Sequence, residues 1–187
     1  MEEEVQMVLD ETKDAMFKAL KHLEEELHKV RAGKASPDMV SGITVEYYGS
    51  PTPINQVASV KLLDARTLVI VPFERKMIAD VERAIFQSNI GITPQNDGTI
   101  IKLFLPPLTE ERRKELVKRS NVEGEQAKVA IRNTRREAME QLKKLKKDGL
   151  SEDASKDIEK NIQELTDKFI ALVDKHLATK EKEIMSI

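Results

Sequence analysis

Between residues 112 and 146 the chain carries basic residues at spacings that could hold phosphates. Giving each residue about 100° of helical rotation from Lys128, the residues Arg132, Arg135, Arg136, Lys143 and Lys146 fall between roughly 340° and 80°, one stripe along a helix. Ala127, Ile131, Thr134, Ala138, Leu142 and Leu145 fall at roughly 240° to 320°, so the stripe runs beside a face expected to be buried. Arg112, Arg113, Lys114, Lys118 and Arg119 form a second cationic cluster near the start of the same helix. Cations spaced evenly on a rigid helix suit the regular phosphates of structured RNA, and arginine adds bidentate geometry that lysine lacks. No aromatic residue interleaves the stripe, which argues against stacking on unpaired bases and for recognition of folded RNA by shape and backbone. Glu125, Glu137 and Glu140 support a competing reading, a solvated face whose charges cancel. The spacing by itself leaves these two readings level.

Other chemistry is hard to place. His22 and His28 are six residues apart, which does not put two ligands on one helical face, and His176 falls on an apolar seam where a core-edge role accounts for it. With no cysteine there is no disulfide, thiolate metal site or cysteine nucleophile. The seven glycines are too scattered for a phosphate loop. Glu110-Glu111 and Glu152-Asp153 stand at helix starts, where the helix dipole explains paired acids without general acid-base work. The expectation is a chain with no catalytic residue, no metal site and no cofactor.

The elements that position the stripe are long helices. Leu9, Thr12, Met16, Leu20, Leu23, Leu27 and Val30 recur at steps of three and four and predict an opening helix of roughly eight turns. A second helix is expected from about Pro107 to Lys147, with Thr109 as N-cap and Asp148-Gly149 as stop. A third follows N-cap Ser151, with Ile158, Ile162, Leu165, Phe169, Leu172 and His176 on its seam. The short stop between the last two makes them antiparallel neighbours, and three such seams can be buried together in a three-helix bundle.

Residues 36–107 break this pattern with Pro37, Gly42, Gly49, Pro51, Pro53, Gly91, Pro94 and Gly98. Here Ile43, Val45 and Tyr47 alternate with polar residues, Thr67–Val71 is β-branched, and Thr99–Leu105 follows the turn Asn96-Asp97-Gly98. Ile78, Val81, Ala84 and Ile85 mark a helix within Met77–Ser88. The expected fold is therefore α+β in two domains, an antiparallel bundle of residues 1–30 and 108–187 carrying an inserted β/α/β domain of residues 31–107. Linkers near 31–34 (Val30, Arg31, Gly33, Lys34) and 105–107 (Leu105, Pro106, Pro107) form either a hinge or a corner stiffened by proline.

Composition agrees with a helical core, since 40% of residues are hydrophobic but only 4% aromatic, which leaves aliphatic side chains to fill it. The 31 Lys and Arg nearly balance the 33 Asp and Glu, so any affinity for nucleic acid must come from local patches. The acidic start Met1-Glu2-Glu3-Glu4 and the lack of a long apolar run predict a soluble cytoplasmic protein with no membrane contact.

Four segments together resemble the ribosome recycling factor family: Arg31-Ala-Gly-Lys-Ala-Ser-Pro37, Val45-Glu-Tyr-Tyr-Gly-Ser-Pro-Thr-Pro53, Leu105-Pro-Pro-Leu-Thr-Glu-Glu-Arg-Arg-Lys114 and Ile131-Arg-Asn-Thr-Arg-Arg136. The resemblance runs end to end and in the family's order. It implies an L-shaped, tRNA-sized monomer that binds the post-termination ribosome and, with elongation factor G and GTP, separates the subunits. The GTP site would belong to the partner. It further implies that the bundle contacts large-subunit ribosomal RNA through Arg132, Arg135 and Arg136, with Lys128 and Lys143 following by position on the same face. The rival expectation is a non-enzymatic helical adaptor without RNA affinity.

Overall fold

The structure, a computed structural model, describes residues 1–30 and 32–186. In chain order the elements are α1 (Glu2–Lys29), β1 (Thr44–Tyr47), β2 (Ser50–Pro53), α2 (Ile54–Val57), β3 (Ala58–Asp64), β4 (Thr67–Pro72), α3 (Ile78–Gln87), β5 (Pro94–Asn96), β6 (Ile101–Phe104), α4 (Glu110–Lys147) and α5 (Glu152–Met185). Short 3₁₀ turns occupy Pro37–Val40 and Arg75–Met77. The chain divides into two compact units, Met1–Ala32 with Glu110–Ile187, and Gly33–Thr109.

The first unit is a bundle of α1, α4 and α5. Met16, Leu20, Leu23 and Leu27 of α1 pack with Ala127 and Ile131 of α4 and Phe169 and Val173 of α5. Val8 packs with Ala138, Leu142, Ile158 and Ile162 at the other end of the helices. This pairing makes α1 antiparallel to α4 and parallel to α5. The α4–α5 turn is a Schellman motif: the Leu150 N–H donates to the Leu145 carbonyl (3.0 Å), the Gly149 N–H donates to that of Lys146 (3.3 Å), and Gly149 takes φ +110°. Ser151 then caps α5 by accepting from the Ala154 N–H at 3.2 Å.

The buried rows differ from the sequence expectation in detail. Val8 rather than Leu9 begins the α1 row, and on α5 Thr166 and Val173 are buried while Leu165 and Leu172 are half-buried. A helix meeting two neighbours buries a face wider than one seam, and small hydroxyl residues serve where helices approach closely. Thr12, Ser120 and Thr166 satisfy their hydroxyls on the carbonyls four residues back, at 2.6, 3.0 and 2.8 Å. Thr134 and Leu145 of α4 are half-buried, and the α4 row extends upward through Leu116, Ser120 and Gly124. A Cβ at Gly124 would stand 2.3 Å from Leu177 Cδ1, which explains a glycine in mid-helix despite its cost of about 1 kcal/mol.

The second unit has a two-stranded ribbon, β1–β2, and a four-stranded antiparallel sheet in the order β3-β4-β6-β5. Its core joins Leu68, Ile70, Ile101 and Leu103 of the sheet with Val45, Ile54, Val81 and Ile85. Three strands were not expected: β2, whose two prolines are tolerated in a ribbon with a free edge, β3, and β5. The expected strand Thr99–Leu105 is shorter, Ile101–Phe104, because Asp97 accepts the N–H groups of Thr99 (2.9 Å) and Ile100 (2.8 Å) and holds that stretch as a turn.

Candidate nucleic-acid interface

The basic stripe on α4 resolves into two rows. The row beside α5 is committed to inter-helix contacts. Lys128 lies 2.6 Å from Asp174 and 3.7 Å from Glu125, with only 16% of its side chain exposed. Arg135 donates from Nε to Gln163 at 2.8 Å, and Lys146 lies 3.3 Å from Glu152. The outer row, Arg132, Arg136 and Lys143, is exposed. Arg136 reaches Asn133 on its own helix at 3.3 Å. Among the described residues, none of these three forms an ion pair, and neither Glu137 nor Glu140 does. The cancelling-charge reading needs those pairs. The outer row is therefore a set of cations held on a rigid helix and facing water.

The upper cluster is used differently. Arg113 donates from Nη1 to the carbonyls of Ile184, Met185 and Ser186 at 3.3, 3.0 and 3.3 Å, closing the C-terminal turn of α5. Arg112 pairs with Glu115 at 2.7 Å and Lys114 with Glu110 at 3.4 Å. Lys118 and Arg119 are exposed. Arg119 lies near enough to Glu26 to help hold that carboxyl below its ordinary value, an effect owed first to the hydrogen bond from Lys29. The sequence placed Arg113 with the binding residues. Its carbonyl partners sit more than seventy residues away in the chain, and no local spacing announces them.

His176 is half-exposed, with Nε2 3.2 Å from Glu24 Oε1 across the α5–α1 interface. No group of three or more His, Cys, Asp or Glu residues is placed to hold a metal among the described residues. Nor is any helix of those residues long and apolar enough to cross a membrane.

At the linkers, Val30 is buried and its N–H donates to the Leu27 carbonyl at 3.1 Å. Arg31 lies outside the described residues. Gly33 takes φ +75°, and a Cβ there would stand 2.9 Å from Leu108 Cγ, so the incoming and outgoing chains touch at that point. Lys34, Pro106 and Pro107 are exposed. Leu105 is buried, and its N–H donates to the Arg66 carbonyl while that of Ala35 donates to Ala65, each at 2.8 Å. The β3–β4 turn thus ties both linkers to the smaller unit.

A polar cluster that sequence reasoning passed over lies at the β1–β2 turn. Tyr48 and Gly49 take φ +48° and +82°, the hairpin geometry that favours Asn-Gly. Glu74 accepts from the hydroxyls of Tyr47 (2.5 Å) and Tyr48 (3.1 Å), and Lys76 donates to the Tyr48 hydroxyl and lies 4.6 Å from its ring centroid. The Tyr47 hydrogen bond, then that of Lys76, holds the Glu74 carboxyl below its ordinary value.

The family model for ribosome recycling factor matches residues 23–185. The chain belongs to the ribosome recycling factor family. A ribosome-recycling factor of Flavobacterium psychrophilum is 49% identical over 187 residues, covering 100% of both chains. The solution structure of a ribosome recycling factor is 38% identical with a TM-score of 0.76, covering 98% of each chain. A second family structure has a TM-score of 0.61 at 43% identity, covering 97% of this chain and 99% of that one. It presents the T. thermophilus ribosome recycling factor and the E. coli elongation factor G bound to the E. coli post-termination complex.

Proposed function

We infer that this chain recycles ribosomes: it binds the post-termination ribosome and, with elongation factor G and GTP, separates the subunits so that they can initiate again. The observation that carries the RNA-binding part is the outer row of α4, where Arg132, Arg136 and Lys143 face solvent with no acid paired to them among the described residues. Cations fixed on a long helix match the spacing of phosphates on folded RNA and release counterions when they meet it. Arg135, Lys128, Lys118 and Arg119 support the row from its margins, while Arg112 and Arg113 act mainly within the bundle.

The family is one of translation factors, and on this reading the chain lends position and force with no catalysis of its own. Its place of work is where ribosomes translate, the cytoplasm. The bundle anchors on ribosomal RNA, and the smaller unit moves about the segment of residues 31–34 and Pro106-Pro107 when the translocase acts on it. Leu105 and Val30 mark the ends of that hinge, since both are buried and hydrogen-bonded.

The test is splitting of purified post-termination ribosomes by the full chain, with elongation factor G and GTP present or each omitted. Subunit separation that requires all components is the expected result. Ribosomes that stay joined in the complete mixture would remove the recycling reading.

A further inference from the structure

The basic residues on the α5 side of α4 meet acceptors of different kinds. Arg135 gives its Nε–H to the neutral amide of Gln163 at 2.8 Å. Lys146 lies 3.3 Å from Glu152 beside the α4–α5 turn, with 34% of its side chain exposed. Lys128 is the most enclosed of the three at 16%, and it is held by two acids, Asp174 of α5 at 2.6 Å and Glu125 of its own helix at 3.7 Å. Those acids are open, with 59% of the Asp174 side chain and 66% of the Glu125 side chain exposed. At this level the face shows water two carboxylates around one covered ammonium. Lys118 and Arg119 lie exposed on one side of that notch along α4, and Arg132 and Arg136 on the other.

An acid in that place does little for the fold. An ion pair with so open a carboxylate is screened and adds little stability, and α4 already meets α5 through Ala127, Ile131, Phe169 and Val173. What the acid changes is the charge offered to a ligand. Lys128 stands four residues before Arg132 and seven before Arg135, so it is a surface neighbour of both. A phosphate chain seated on the outer row passes within a swing of its flexible stem. The Asp174 carboxylate, however, engages the ammonium as a phosphate oxygen would, by a charge-assisted bond of ordinary length. For Lys128 to reach RNA it must leave Asp174, which then faces the phosphates as a like charge. Both effects oppose binding.

We propose that Asp174 sets the affinity of the basic face: its carboxylate stands in for an RNA phosphate at Lys128 in the free protein and is exchanged for one on the ribosome. Binding is thereby held below what the cations alone would give. This rests on the recycling reading. A factor that acts once on each ribosome and then leaves gains from an interface held back in this way.

The test is a double-mutant cycle in the full chain, with affinity for purified post-termination ribosomes read by filter binding across a salt series. Asp174→Asn keeps the size of the side chain and removes its charge. It should tighten binding about fivefold near 0.15 M salt and steepen the slope of log affinity against log salt by about 1. In a Lys128→Gln background the same change should tighten binding less than about twofold, because no ammonium is released. Asp174→Glu, which restores the carboxylate, should stay within about twofold of wild type. Thermal unfolding of Asp174→Asn should stay within about 4 °C of wild type, and a loss well beyond that would make Asp174 a structural residue and overturn the proposal. Weaker binding by Asp174→Asn would mean that the carboxylate positions Lys128 for RNA, and would overturn it as well. So would equal gains with and without Lys128, which would reduce the effect to overall charge. In each of these cases a wild type that binds ribosomes keeps the recycling reading, whereas a wild type that binds none removes that reading and the role of Asp174 together.

Discussion

The two ends of α4 carry similar basic sequences and use them in opposite ways. Near its start, Arg113 closes the last turn of α5 and Arg112 and Lys114 pair with acids on their own helix. Further along, Arg132, Arg136 and Lys143 have no acid paired to them among the described residues. A cation beside a helix C-terminus meets unsatisfied carbonyls that water would otherwise have to serve, and folding claims it. A cation in mid-helix on the outward side meets no such carbonyl end, and beyond a bond such as that of Arg136 to Asn133 it faces water. Position relative to helix ends, more than residue type, separates committed from solvent-facing cations here.

The largest effect that would sharpen this contrast comes from the outer row. Arg132→Ala/Arg136→Ala/Lys143→Ala should weaken ribosome binding by about 100-fold near 0.15 M salt and lower the slope of log affinity against log salt by about 2 to 3. Filter binding across a salt series reads both, and thermal unfolding should stay within about 2 °C of wild type.

Next is Arg113→Ala, expected to cost about 1 to 2 kcal/mol of stability by chemical denaturation while ribosome affinity changes less than about threefold. Affinity lost as in the triple variant, with stability intact, would break the comparison.

The smallest effect is in the smaller unit, where Lys76 and Glu74 are committed to tyrosines. Because hydrogen bonds from Tyr47 and Lys76 depress the Glu74 carboxyl, its contribution is fully present above the ordinary carboxylate range and is lost as pH falls through the lower folded value. Lys76 works in the other direction. Raised by Tyr48 and then Glu74, its contribution holds at neutral pH and fades only as pH climbs above the ordinary lysine value. The chain has two tyrosines and no tryptophan, and both tyrosines are in this cluster. Near-ultraviolet circular dichroism should therefore show an acid transition below the usual carboxylate range that Glu74→Gln abolishes.

The bundle was largely legible in the sequence because local rules suffice for it. A seam of period near 3.6, the cap Ser151 and the stop Asp148-Gly149 each act within one or two turns. Thr12 was read on its seam, but the centring of the other rows escaped, since Ser120 and Thr166 look polar and are buried by bonding back to their own helices. The smaller unit was read less well. β3 reaches half-buried and exposed positions rather than a clean alternation, and β2 carries prolines, so neither has a strong two-residue period. The basic stripe was visible, but its division into committed and open rows depends on Asp174, Gln163 and Glu152, all on another helix.

The contact between Gly33 and Leu108 bears on the entropy of assembly. All of Gly33–Thr109 lies in the chain between α1 and α4, a long loop to close if it were loose. Once that unit folds, its two ends meet at this glycine, and α1 is joined to α4 as if by a short turn. Loop closure grows with the logarithm of loop length, so the shortening favours docking of α1 by roughly 2 kcal/mol. The inserted unit thus works as a splice, letting a helix from the start of the chain join a helical hairpin from its end without a large penalty in chain disorder.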